Sequence, residues 1–487
     1  MNMTEIFERV RELNPRENPE YKDFSDISRG RLFADTFREA CRFNVTAKSW
    51  YYYEGGIWKP DTGATLVKKQ AMRFARAVER YMYENADSPD EAPTKADEFF
   101  QEQALKLKSN RTRKTILDDA AAIHPISRED LDKDEDLLCC LNCVVNLKTF
   151  EALPHNPDFL LSKQAAVNYD PKADSREWKK FFSEVMCNDR EKAWYLQKLL
   201  GLSLTAETNR EELYILYGKT TRNGKSTCLE TFGKLLGDYA ISAAPETLAI
   251  TNKSKDGSAP SPDLARLSGK RFLRVPEPPK NMILNVELVK TMTGGDQITA
   301  RFLQENPFNF YPRYKLFINT NHLPRIMDQS LFDSGRVNVI TFDRHFEPAE
   351  QDHELKHRLQ SPENLSGLLN WCLEGLKGYR KEGLRPPDTV GAATAEYRDH
   401  SDKLGLFMSE ELEYDPGARL HAGQVYEKYR SWCYDNGYSP EAKGTFFKIL
   451  RERDLLTNAK VNGVPDKNTM LDYRFVDEFP TQRSRFF

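Results

Sequence analysis

The chain has 487 residues, 39% of them hydrophobic and 11% aromatic, enough to bury the cores of about three domains. Its formal net charge is −3, so no global basic character marks a nucleic-acid binder, and any DNA contact must rest on local features. No stretch approaches the apolar length of a membrane span, the start MNMTEIFERVRELNPRENPEY lacks the layout of a secretory leader, and eight cysteines suit reduced thiols; a cytoplasmic protein without a membrane partner is expected.

Residues from about 25 to 82 read as a helix (RGRLFADTFREACRF), aromatic strands about a turn (WYYYEGGIWKP) and a second helix. The polar, proline-containing stretch 83–98 reads as a surface loop. LDKDEDLL at 131–138 offers acids of the kind a polymerase or primase pairs, but no flanking strand pattern holds them on one face, which favours a solvated charge run. Cys139, Cys140 and Cys143 contain one C-x-x-C without a second pair or a neighbouring His, and their setting LLCCLNCVV points to buried thiols over zinc.

Helices resume at WKKFFSEVMCNDREKAWYLQKLLGLSL, and the strand LYILYG then runs through YGKTTRNGKST into the helix CLETFGKLLGDY. A strand that breaks into glycine-containing turns before a helix aims backbone N–H groups and the helix dipole at one spot, so a triphosphate is the natural occupant. Gly218, Thr221, Asn223, Gly224, Lys225, Ser226 and Thr227 form this candidate cradle, with Lys225 reaching the β- and γ-phosphates of ATP and Ser226 holding Mg²⁺. Five residues, where four are usual, separate Gly218 from Gly224. Downstream, KRFLRVPEPP reads as a strand ending in Glu277, able to orient an attacking water. YKLFINTNHLP is a second buried strand ending in Asn321, whose amide could sense the γ-phosphate, and SLFDSGRVNVITF places Arg336 just before a third.

HELKH at 353–357 has zinc-protease spacing, with His353 and His357 on one helical face, yet no third ligand is evident and two surface histidines are the default. After the segment KEGLRPPDTVGAATAEYRDH, read as a linker, two helices around a glycine turn and an alternating segment, KVNGVPDKNTMLDYRFV, suggest a winged helix. Lys443, Lys448 and Arg451 would then be candidates to face DNA phosphates, although the balanced charge suits protein docking equally well.

Taken together these motifs resemble, in order, the superfamily 3 helicases of the phage and plasmid primase type, related to the poxvirus primase-helicase. YGKTTRNGKST matches the Walker A loop, PDLARLSGKRFLRVPE leads into the Walker B acid, and LVKTMTGGDQITARFL, KLFINTNHLP and GRVNVITF match the motifs that follow, ending in the arginine-finger segment. A lone Glu277 after Val275 and Pro276 replaces the usual acidic pair, which leaves open what helps Ser226 hold Mg²⁺. The resemblance implies an α/β fold with an AAA+-like P-loop ATPase core (176–385), an α+β N-terminal domain (1–175) and a linker with a winged-helix-like module (386–487). It implies ATP and Mg²⁺ as cofactors, with Lys225, Glu277, Asn321 and Arg336 in catalysis. It also implies a homo-oligomer, a hexameric ring, that threads single-stranded or forked DNA and meets replication proteins in a bacterial host of a phage or mobile element. Within 301–325, which the family uses for a pore hairpin, Arg301 and Arg313 would track phosphates, while Phe308 and Phe310 fit base stacking and core equally. A primase-helicase and a nucleotide-gated DNA-binding initiator are the alternatives; no strand-borne pair of acids supports the former.

Overall fold

The computed structural model describes residues 1–476 except 87–92, 251–260, 281, 304–305, 437, 439 and 462–463. The middle of the 83–98 loop therefore lies outside the described residues. The chain divides into two compact units, residues 1–324 with 336–390, and residues 325–335 with 391 onward.

In the first unit, helices Met3–Leu13, Asp26–Thr36, Thr65–Glu84, Lys95–Lys106 and Asn110–Ala120 surround an antiparallel meander of Cys41–Asn44, Ser49–Glu54 and Ile57–Pro60. Aromatic residues fill the space between them: Phe33 lies 5.4 Å from Phe74 and 6.3 Å from Trp50, both edge-on. A second small meander, Leu137–Cys139, Val144–Asn146 and Ala152–Leu153, follows. The LDKDEDLL acids sit in the turn before it, where Asp132 accepts from the Ser162 N–H at 2.8 Å and pairs with Lys163 at 2.7 Å. Cys139, Cys140 and Cys143 are buried, and among the described residues no group of three or more His, Cys, Asp or Glu is placed to hold a metal ion. Packing joins Leu138, Val145, Leu147, Ala165 and Val167, all N-terminal to residue 175, to the core of the central sheet.

That sheet has five parallel strands: β1 (Leu213–Tyr217), β2 (Ala240–Ser242), β3 (Phe272–Pro276), β4 (Lys315–Thr320) and β5 (Val337–Thr341), in the order β5-β1-β4-β3-β2. β1, β4 and β5 read as near-continuous apolar runs because both sheet faces are covered, the usual condition of a parallel sheet. Helix α1 (Lys225–Leu236) covers one face, with Phe232 edge-on to Phe272 at 5.0 Å and Glu230 paired to Arg274 at 3.0 Å. Between β3 and β4 come helix α2 (Val286–Thr293) and a hairpin of Ile298–Ala300 and Phe308–Phe310. HELKH is not a helical pair: the helix spans Leu355–Leu359, so His353 precedes it, and both histidines are exposed.

Around the second unit, the segment read as a linker is largely helix, Asp388–Ser401. The pair Pro386-Pro387 ends at the first turn, where proline is tolerated, and the alanines that follow favour helix. Helices Lys403–Glu411, Ala422–Asp435 and Lys443–Glu452 then accompany an antiparallel sheet in which Val464–Phe475 is flanked by Leu412–His421 and Thr457–Val461. The strand Leu412–His421 carries Pro416 and Gly417, and its register shifts between Tyr414 and Arg419, which is why its sequence does not read as a strand. No described helix is long and apolar enough to cross a membrane.

Candidate active site

β1 connects onward to β2, on the far side of β4 and β3, whereas β4 connects in the opposite direction, across β1 to β5. The two chains of connection diverge at the carboxyl edge between β1 and β4, the place where an open parallel sheet leaves a crevice. The loop 218–224 leaves β1 at this edge and turns into α1.

Two backbone features shape the loop. Arg222 has φ 56° and Gly224 has φ 88°, and a Cβ on Gly224 would stand 2.5 Å from the Val185 side chain and 3.3 Å from the Phe181 ring. Gly218 is equally confined: a Cβ there would lie 2.8 Å from Lys225 Nζ and 2.9 Å from the Phe342 carbonyl. Only glycine lets the strand end pass so close to the lysine. The loop is also held from outside, since the Phe346 N–H donates to the Arg222 carbonyl at 3.0 Å and His345 Nδ1 meets the Thr221 carbonyl at 2.9 Å.

Lys225 is 4% exposed, and its ammonium donates to Asn223 Oδ1 at 2.9 Å and to Asn321 Oδ1 at 2.8 Å. Among the described residues no carboxylate pairs with it at ion-pair distance. Burial pulls the ammonium down to about 8, with the Glu277 charge acting against that shift. A buried cation answered only by two neutral amides suits an anion, and the glycines leave the approach open; these residues fit the polyphosphate of ATP. Ser226 and Thr227, half-buried on the first turn of α1, would be the nearest hydroxyls to a Mg²⁺ ion on that polyphosphate.

The end of β4 ties the edge together. The Asn319 carbonyl accepts from the Glu277 N–H at 2.8 Å, the Thr320 carbonyl from the Gly218 N–H at 3.2 Å, and the Asn321 side chain from Lys225. Glu277 is exposed and has φ 45°, a left-handed conformation rare for a side-chain-bearing residue, immediately after β3. Lys225, Glu277 and Asn321 are thus gathered at one edge. Arg336 is not: it precedes Val337, which aligns with Leu213 at the amino edge, about 16 Å along β1 from the loop. Its guanidinium donates to Thr293 Oγ1 at 3.1 Å and pairs with the Glu211 carboxylate of the same chain.

Of the DNA-binding candidates, Arg301 and Arg313 belong to the first unit and Lys443, Lys448 and Arg451 to the second. Arg301 encloses its Nε without a hydrogen-bond partner, and Arg313 pairs with Glu135 at 2.9 Å. Phe310 is 8% exposed and belongs to the interior, whereas Phe308 lies under the Arg128 guanidinium at 4.1 Å; the neighbouring Leu303 and Tyr311 are the exposed apolar groups of this segment. Lys443 sits near the Phe447 ring at 5.7 Å, Lys448 pairs with Glu452 at 3.6 Å, and Arg451 donates to Asn468 at 2.5 Å. Sequence reasoning did not reach His345 and Phe346, which brace the loop, nor Asn319, although an amide inside the otherwise apolar FINT stretch was there to be seen.

Family models match three parts of the chain: "D5 N terminal like" at 30–187, a family of unknown function (DUF5906) at 216–336, and "Poxvirus D5 protein-like" at 399–480. Over its amino-terminal and carboxyl-terminal parts the chain is thus similar to the D5-like primase-helicases. This D5-like protein is 26% identical over 429 residues to the "Putative helicase L207/L206" of Acanthamoeba polyphaga mimivirus, covering 81% of this chain and 44% of that one. It is 27% identical over 307 residues to the "Putative helicase 022R" of Frog virus 3, covering 58% and 31%. A "Putative primase C962R" of African swine fever virus is 20% identical over 425 residues, covering 79% and 43%. The D5-like chain thus spans less than half the length of these relatives. Among solved structures, the apo NrS-1 C-terminal region (305-718) aligns with 88% of this chain and 95% of its own, at 12% identity and a TM-score of 0.47.

Proposed function

We propose that this D5-like protein is an ATP-dependent replicative DNA helicase of a virus or mobile element, working as a ring of identical subunits. One observation carries the reading: the buried Lys225 ammonium, held by Asn223 and Asn321 and, among the described residues, by no acid, at the edge where the sheet's connections diverge. The position of the cradle strand, second in a parallel order of five, supports an AAA+-like P-loop core.

In this reading the N–H groups of 222–226 and the Lys225 ammonium bind the β- and γ-phosphates, and Asn223 and Asn321 aim that ammonium. Ser226 would hold Mg²⁺, which would supply charge neutralisation to the polyphosphate. Asn321 stands where it can exchange its lysine contact for the γ-phosphate or a water. Glu277, fixed by its N–H to β4, orients the attacking water and takes its proton. Arg336 acts on a neighbouring subunit's nucleotide only after releasing Glu211, so assembly and the opening of that pair are coupled. The second unit, in which the helices Lys403–Glu411, Ala422–Asp435 and Lys443–Glu452 accompany an antiparallel sheet, serves as a winged-helix-like module for DNA or a replication partner.

Lys225→Ala removes the charge aimed at the transferring group, so ATP turnover should fall by ~100-fold or more. Glu277→Gln should slow hydrolysis while ATP still binds. Unchanged turnover in Lys225→Ala would remove the cradle from the mechanism. Template-dependent primer synthesis by the purified chain would favour a primase-helicase instead.

A further inference from the structure

Asn319 is a buried polar residue that the catalytic reading leaves unused. It is 2% exposed, and among the described residues no hydrogen-bond donor reaches its Oδ1. A buried amide oxygen without a donor is costly and uncommon, so a donor from outside the protein chain is the natural complement.

The sheet register says where that donor would stand. Asn319 lies beside Pro276 of β3 on one side and Leu216 of β1 on the other. Side chains alternate along a strand, so Asn319 shares its face with Phe317 and Asn321, with Phe272, Arg274 and Pro276, and with Tyr214, Leu216 and Gly218. Ring contacts of Phe317 with Phe272 at 5.0 Å and with Tyr214 at 5.4 Å agree with this assignment. It is the face that α1 covers, through Phe232 on Phe272 and Glu230 on Arg274. Two residues beyond Asn319, the Asn321 side chain already meets Lys225, the first residue of α1. Asn319 therefore faces the amino-terminal part of α1, whose first turn carries Ser226 and Thr227.

In nucleotide cradles of this kind Mg²⁺ is held by the hydroxyl after the lysine and by an acid on a neighbouring strand. Here the last residue of β3 is Pro276, which has no polar side chain, and Glu277 beyond it is exposed. We propose that Asn319 stands in for the missing acid, its Oδ1 accepting a hydrogen bond from a water of the Mg²⁺ ion bound at Ser226. The acceptor is then supplied one strand over, from β4, and as a neutral amide. This inference rests on the nucleotide-binding role of the cradle.

The test is the Mg²⁺ concentration that half-saturates binding of a fluorescent, slowly hydrolysed ATP analogue, with affinity in excess chelator measured alongside. Asn319→Ala should raise the half-saturating Mg²⁺ by ~10-fold or more, the usual cost of losing a group that supports metal ligands, and leave metal-free affinity unchanged. Asn319→Asp, which restores a charge, should lower it. The double change Asn319→Ala with Pro276→Asp should recover the wild-type requirement, because the two side chains share one face in register. Should the alanine variant not fold, the Asn319→Asp shift decides alone. The proposal is overturned if both single variants keep the wild-type Mg²⁺ requirement, or if Asn319→Ala weakens metal-free and Mg²⁺-dependent binding equally. A wild-type chain that binds no nucleotide under any condition would instead overturn the cradle itself.

Discussion

Lys225 concentrates the chemistry of the site in one titrating group. Burial holds its free-state value near 8, and an anion beside it stabilises the ammonium, so the bound-state value must lie higher. Below about pH 8 the lysine is charged in both states and binding moves no proton at this site. Above it, the free lysine is increasingly neutral and must take up a proton on binding, so ATP affinity should fall by up to about tenfold per pH unit. Calorimetric titrations in buffers of different ionisation enthalpy measure that uptake; none above pH 8 in the wild type would contradict the geometry. Gly-Lys-Ser and the asparagine of FINTN made Lys225 and Asn321 legible in the sequence, because chemistry and spacing travel together in a loop. The contact of Arg336 with Glu211 was not legible: the two are 125 residues apart, and only the parallel return of β5 beside β1 brings them together.

At the scale of elements, β4 is the strand on which the site hangs, and its first residue carries a cost. Lys315 is buried, donating to the Thr205 carbonyl at 2.6 Å and the Glu207 carbonyl at 3.1 Å, and burial, with Arg271 nearby, pushes it down to about 7. In the unfolded chain the same lysine titrates in its ordinary range, so between those values the unfolded state binds the extra proton. Stability should therefore rise with pH above about 7 and be insensitive to this group below it. Lys315→Met should flatten that rise, which melting temperatures across the interval would register; an unchanged slope would show that Lys315 is not the buried titrating group. The strands β1, β3, β4 and β5 could be read from sequence because their burial makes them largely apolar runs, whereas the short, more exposed β2 carries no such run. The strand Leu412–His421 could not be read, since its bulge and its Pro-Gly pair break the alternation, and the helix Asp388–Ser401 went unread within the linker segment because two prolines stand just before it.

For the whole molecule the open question is assembly. An Arg336 held by its own chain's Glu211 suits a structural role; an Arg336 released to a neighbour suits a ring. Mixing Arg336→Ala with Lys225→Ala chains distinguishes the two, because an intact cradle on one can meet an intact arginine on the other. Recovered ATPase above the sum of the residual activities, with wild-type specific activity falling on dilution, is the expected result. Merely additive activities would leave Arg336 as a structural residue. The order of motifs along the chain anticipated the D5-like family, but which subunit completes which site lies beyond one sequence. The most direct measurement of the central claim is displacement of a labelled strand from a forked DNA duplex by the purified chain. The account predicts displacement by the wild type that requires ATP and Mg²⁺ and is abolished in Lys225→Ala. Displacement that persists in Lys225→Ala, or a wild type that hydrolyses ATP yet separates no strands at any protein concentration, would contradict it.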